Sequence, residues 1–330
     1  MAFFVSLVRR LIKAAVRRSL LLLSAPIKRS AWYRSQFIDF YRTQHPNNDW
    51  YRVHLDRNYD IVVLGSSSAK WAFDFSSLPI KGMNWAEQPQ LLADDFNLLK
   101  NYHSILRKSG FVVITLLPFS SLNKPGSVMQ TFRYLRVFQN REDLLNNAFA
   151  SSAIRYETYP ILLGKAAIKA GFKCLLNIEK AGPTIPCGCM VEHNDMSDVQ
   201  LENDALAWIS GWKTQFRIPD LEYSLTPENA YGRQCKVMLV RNMIDFCLER
   251  GYRPIIVIPP VSKYLAKYFN ARVKEVYIGS FLRELKRDIP IYNYMDKDGW
   301  DNANYYFNSF FLNKRGREVF TAQFLKDIGL

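Results

Sequence analysis

The chain has 330 residues, a formal net charge of +14, 48% hydrophobic residues and 14% aromatic residues. That composition supports one large core or two modest ones and excludes a disordered polyelectrolyte. Its five cysteines (Cys174, Cys187, Cys189, Cys235, Cys247) make an odd set with no CxxC spacing, which excludes a dense disulfide framework and favours a reducing compartment.

The positive charge is concentrated at the start. Arg9, Arg10, Lys13, Arg17, Arg18, Lys28, Arg29 and Arg34 all precede the first acid, Asp39. On a helix, Arg9, Arg10, Lys13 and Arg17 share one side, while Phe4, Leu7, Val8, Leu11 and Ala15 take the other. A basic face opposed by Phe, Leu and Val is the composition of a membrane-surface helix, so residues 1–18 are expected to anchor the chain on an anionic membrane. The uncharged run Ser19–Ile27 is too short to span a bilayer. It has the length of a signal-peptide core, but no small-x-small cleavage site follows it. The expected location is therefore cytoplasmic and peripheral on the membrane; the alternative is a secreted or membrane-anchored chain. No nucleic-acid motif accompanies the charge, so no nucleic-acid partner is expected.

A second helix is expected within 32–56, ending before Pro46, so that residues 1–54 form a basic N-terminal region. The run Ile61–Leu64 then reads as a buried strand, and Gly65-Ser66-Ser67-Ser68 as the turn that follows it. Glycine allows a sharp turn there and serine favours a helix N-cap. At the carboxyl end of a parallel strand such a turn lies where ligands bind. The three serines fit a nucleophile beside backbone N–H groups, and they also fit a plain helix cap.

Gly82–Ala86 is a second short strand, Leu91–Leu106 is helical by period, and Phe111–Leu117 is a third strand that Pro118 ends. Residues 119–229 break this rhythm and read as an insertion, with helices at Ile161–Ala170 and Asn203–Trp212. Within it Cys187 and Cys189, with Glu192, His193 and Asp195 nearby, lack the paired spacing of a zinc site; neither a metal nor a cofactor is expected. The sheet resumes with a helix over Val237–Arg250 and a strand over Pro254–Ile258. A helix over Val276–Leu285, an edge strand over Ile289–Tyr294 and a closing helix to Leu325 complete it. The fold class is therefore α/β, a three-layer sandwich around a mostly parallel flavodoxin-like sheet over residues 55–330.

Leu64-Gly65-Ser66-Ser67, followed near the C-terminus by Leu312-Asn313-x-x-Gly316, resembles the SGNH (GDSL-type) hydrolase family, nearest to bacterial members related to surface-polysaccharide assembly. The resemblance implies that Ser67 is at the nucleophile position. It implies oxyanion donors from the Ser67 N–H, from the N–H at Ala86 in the second motif and from an asparagine of the third motif, for which only the late Asn123 offers itself. The family's base is a His three residues after an orienting Asp, directly before the Leu-Asn pair. Those positions here are Phe311 and Asn308; Asn313 of the Leu-Asn pair is placed with Ser67 and Ala86 among the oxyanion or binding positions.

Phenylalanine accepts no proton and asparagine balances no imidazolium charge, so a serine in this setting is a weak nucleophile. Replacement bases to consider are His193, and less so Asp296, Asp298 and Asp301. The expectation is an SGNH-like protein, catalytically impaired, that binds a carbohydrate or acyl-ester ligand. The alternatives are an active carbohydrate esterase or O-acyltransferase with an unconventional base, and a membrane-associated scaffold.

Overall fold

The computed structural model describes residues 57–87, 90–117, 119, 122, 196–295 and 297–330, together with 12, 14–16, 18 and 19. The expected helices within 32–56 and at 161–170, the Cys187/Cys189 cluster with His193, and Asn123 and Asp296 lie outside the described residues. The chain divides into two compact units, Met1–Asn48 with Ser127–Thr184, and Asp49–Gly126 with Ile185–Leu330. In the first unit, Ile12, Ala14, Ala15, Val16, Arg18 and Ser19 are helical and exposed.

The second unit is built on five parallel strands: β1 (Tyr59–Leu64), β2 (Gly82–Asn84), β3 (Leu106–Thr115), β4 (Arg253–Ile258) and β5 (Ile291–Asn293), in the order β2-β1-β3-β4-β5. This is the flavodoxin-like order, whose switch point lies between β1 and β3. The three strongest apolar runs of the sequence, in β1, β3 and β4, are the three interior strands. Burial on both faces is what a continuous run of Ile, Val and Leu encodes. β2 and β5 are short edges, and Pro290 stands just ahead of β5, where an edge tolerates it.

Among the described residues, eight α-helices accompany the sheet: α1 (Ser67–Lys70), α2 (Leu92–Tyr102), α3 (Asp198–Phe216), α4 (Pro227–Glu249), α5 (Lys263–Ala266), α6 (Ala271–Lys274), α7 (Ser280–Leu285) and α8 (Lys314–Ile328). Ile61, Val63, Phe111, Val113, Ile255 and Val257 pack in one cluster with Phe320 and Phe324 of α8 and with Phe73. Alternation along each strand turns Val62, Val112, Ile114 and Ile256 to the other face, where α4 packs on α2, α7 and β4. Helices thus cover both faces, giving the three layers.

Several boundaries differ from the periodicity, two of them by a change of local structure. The helix expected up to Leu106 stops at Tyr102, and a 3₁₀ turn at His103–Ile105 feeds β3. There Tyr59 pairs with Leu106 but Ile61 pairs with Phe111, so Arg107–Gly110 bulges from the ladder with Ser109 at φ 60°. The helix expected from Val237 starts ten residues earlier, at Pro227. Thr226 caps it by accepting from the Asn229 N–H, and proline at the first position suits a helix start.

Candidate functional site

The site is the turn between β1 and α1 at the carboxyl edge of the sheet. Gly65 has φ +149°, and a Cβ there would lie 2.8 Å from Ala69 Cβ and 3.0 Å from Thr115 Cβ, so only glycine fits. The Gly65 N–H donates to Asp95 Oδ1 at 2.8 Å, and the Gly65 carbonyl accepts from the Glu87 N–H at 3.3 Å. Ser66 is the N-cap residue of α1; its hydroxyl accepts from the Gln90 N–H at 3.1 Å. The Gln90 side chain donates to Trp85 O and to Asp95 Oδ1. Asp95 is buried, and desolvation outweighs its two hydrogen bonds, pushing its carboxyl up to about 7.

Ser67 is the first residue of α1 and is half-buried. Among the described residues, no His, Asp or Glu is hydrogen-bonded to its hydroxyl. His103 stands at the opposite, amino edge of the sheet, ahead of β3, with Nδ1 3.0 Å from Tyr252 Oη. Asp298 and Asp301 are exposed. The N–H of Ala86, the second-motif position, donates to Asn84 Oδ1 at 3.0 Å. The Asn84 amide donates to the carbonyls of Ala69 and Phe73. That N–H is therefore spent on the loop's own geometry rather than offered to a ligand.

The loop facing the turn shows what each part of the C-terminal motif does. Asn313 caps α8, accepting from the Gly316 N–H at 2.8 Å, while its amide donates to Asn304 O at 2.7 Å. A Cβ on Gly316 would lie 2.0 Å from Tyr305 O, so the helix can approach that loop only through glycine. Asn313 is thus a buried structural cap, with Oδ1 held by the helix. Asn308 folds back on itself, Oδ1 accepting from the N–H groups of Phe310 (2.9 Å) and Phe311 (2.7 Å). Phe311 is buried, stacked on Phe310 at 4.4 Å and edge-on to Trp208 of α3 at 5.5 Å. Ser68 and Phe311 line one cavity of about 10 Å³, about the space of a single water.

Several residues that hold the site were not legible as such. Lys70 Nζ donates to both oxygens of Glu87 (3.0 and 2.8 Å), an ion pair buried behind Ser67. Asp204 of α3 accepts from the N–H (2.9 Å) and hydroxyl of Ser309, and the Ser262 hydroxyl donates to Ser309 O at 2.6 Å. The spacing Ser67-x-x-Lys70 was a readable signal, because residues three apart share a helix face. Glu87, Asp95 and Asp204 carried none; Asp94-Asp95 reads as ordinary first-turn acid that suits a helix dipole.

Compared with known proteins, the chain matches no family model and no curated protein sequence. What the fold defines is a parallel five-stranded α/β protein with a serine turn at its switch point.

Proposed function

We propose that this chain is an SGNH-hydrolase-like protein without effective serine-hydrolase chemistry, which binds a glycan or acyl-bearing ligand at the carboxyl edge of its sheet in bacterial surface-polysaccharide metabolism. The observation that carries this reading is at positions 308 and 311. Where the resemblance calls for Asp and His, Asn308 caps its own loop and Phe311 fills an aromatic cluster. A serine without a base keeps only binding and whatever oxyanion stabilisation remains, several orders of magnitude below a full triad. The frame around the missing pair, Asn313 and Gly316, supports a retained fold with altered use. Little labelling of Ser67 by a fluorophosphonate is expected, with ester turnover no higher than that of Ser67→Ala. Asn308→Asp with Phe311→His should raise labelling, since Asp keeps the acceptor that Asn308 supplies. Rapid Ser67-dependent labelling of the unaltered protein would overturn the reading.

Residues 1–18 are the proposed peripheral anchor on an anionic, cytoplasmic membrane face. Ile12 and Val16, one helical turn apart, are 57% and 53% exposed, which supports an apolar face available to lipid. Among the described residues no helix is long and apolar enough to cross a membrane. Sedimentation with anionic vesicles at low salt, lost on deletion of 1–18, is the test.

One observation favours the second reading, an active carbohydrate esterase or O-acyltransferase: Lys70 lies one helical turn beyond Ser67. Its Nζ donates to both carboxylate oxygens of Glu87, so it could take a proton from Ser67 only by giving up that pair. The esterase reading therefore requires turnover that disappears in both Ser67→Ala and Lys70→Met.

A further inference from the structure

In a parallel sheet covered by helices, each strand begins where a helix ends. The start of every strand and the C-termini of α2, α4 and α7 therefore gather at one edge, opposite Ser67. That edge is rich in exposed cations. Three of its arginines are matched by neighbouring carboxylates: Arg107 with Asp60 (2.6 Å), Arg250 with Glu249 (3.5 Å) and Arg287 with Asp245 (2.7 Å). Beyond these stand Arg57 ahead of β1, Lys108 on the bulge of β3, Arg253 at the start of β4 and Lys286 after α7, all exposed. Asp56 and Asp288 are the acids nearest to them in sequence.

Cations are expected where helices end, because each C-terminus carries roughly −0.5 of a charge. Three helix ends account for roughly −1.5, whereas four cations against two carboxylates leave a surplus of about +2. The excess exceeds what the dipoles ask for. Lys108 is held outward by a bulge, and a bulge commonly re-aims a side chain.

We propose that the amino edge of the sheet is a docking surface for an anionic lipid bilayer, holding the Ser67 turn on the far side of the domain. Charge complementarity selects the partner. The chain also enters the sheet at this edge, through Arg57 and β1, after a segment that is itself basic from Arg9 to Arg34. The six residues of β1 separate the two edges by about 20 Å. Ser67 therefore opens away from the headgroups, toward a ligand that is soluble or extends from the membrane. The inference shares its partner with the reading of residues 1–18 but uses none of those residues.

The test is co-sedimentation of the full chain with phosphatidylcholine vesicles, with and without phosphatidylserine. Each basic residue near such a surface contributes about fivefold in partition. Lys108→Glu with Arg253→Glu and Lys286→Glu should therefore weaken binding by at least about 100-fold. The matched set Lys263→Glu, Arg217→Glu and Arg315→Glu makes the same change of net charge at the other edge and should cost far less. The neutral set Lys108→Gln, Arg253→Gln and Lys286→Gln, checked for unchanged thermal unfolding, should give an intermediate loss. Equal losses for the two Glu sets, or none for the first, would overturn the oriented docking. So would a first set that abolishes binding to RNA while leaving vesicle binding intact. Loss of vesicle binding on Arg9→Glu, Arg10→Glu and Lys13→Glu tests the N-terminal anchor alone.

Discussion

The two walls of the site are built from different chemistry. The wall that carries Ser67 is polar and closed on itself: Asp95, Gln90, Asn84 and the Lys70–Glu87 pair take up the hydrogen-bonding groups of the turn and of the loop after β2. The wall that faces it is aromatic, with Phe311 between Phe310, Phe307 and Trp208. The first wall holds a serine in place and the second gives it nothing to lose a proton to. A turn of nucleophile type can thus be maintained by packing and hydrogen bonds that owe nothing to catalysis.

Breaking the polar wall should have the largest effect. Glu87→Gln leaves the Lys70 ammonium buried without its counter-ion, and such a loss costs about 3–5 kcal/mol. Replacing both partners by Lys70→Met and Glu87→Leu should cost much less, because no buried charge remains. Denaturant midpoints of the three variants check this; an equally destabilised double variant would show that the pair acts through shape and not charge.

Asp95 sharpens the comparison through pH. Its carboxyl is raised in the folded state from 3.8 to about 7, chiefly by desolvation. The folded protein therefore holds a proton that the unfolded chain has released. Its contribution is fully present below about pH 4 and is lost as pH rises through about 7, a change of roughly 4 kcal/mol. Asp95→Asn should remove that slope from a series of unfolding curves. The lowered carboxyls of Asp245 and Asp327 act in the opposite sense and in the acid range, because their bonds favour the charged form.

The foundation of the aromatic wall comes next. Gly316→Ala places a methyl against Tyr305 O, where 2.0 Å is available, and should cost about 3 kcal/mol as α8 shifts from the loop. A thermal midpoint close to that of the unaltered protein would refute the close approach. The smallest effect belongs to Ser67 itself. It is half-buried, and its side chain caps nothing among the described residues, so Ser67→Ala should change stability by less than about 0.5 kcal/mol. A larger loss would mean that the serine is part of the wall and not a group presented by it.

By itself the sequence determined the sheet. Ile61–Leu64, Phe111–Thr115 and Ile255–Ile258 are apolar without alternation, and burial on both faces is the physical meaning of that pattern. Gly65 was legible too, because a tight turn demands glycine. Asn313 and Gly316 were legible only as motif positions: Asn313, expected to face a ligand, is the buried cap of α8, and Gly316 is the point where α8 meets Tyr305. The loss of the base was legible at Phe311, since no environment gives a phenyl ring a proton to accept. Burial of Glu87 and Asp95 was decided only by the tertiary structure, as were the bonds of Asp204 to Ser309 and the occupation of the Ala86 N–H by Asn84. A carboxylate reads the same in sequence on a surface or beneath a turn. Its partners at the turn come from β1, the loop after β2 and α2, segments brought together only by the parallel crossover. The basic edge has the same origin: Arg57, Lys108, Arg253 and Lys286 are scattered along the chain, and only strand order places them together.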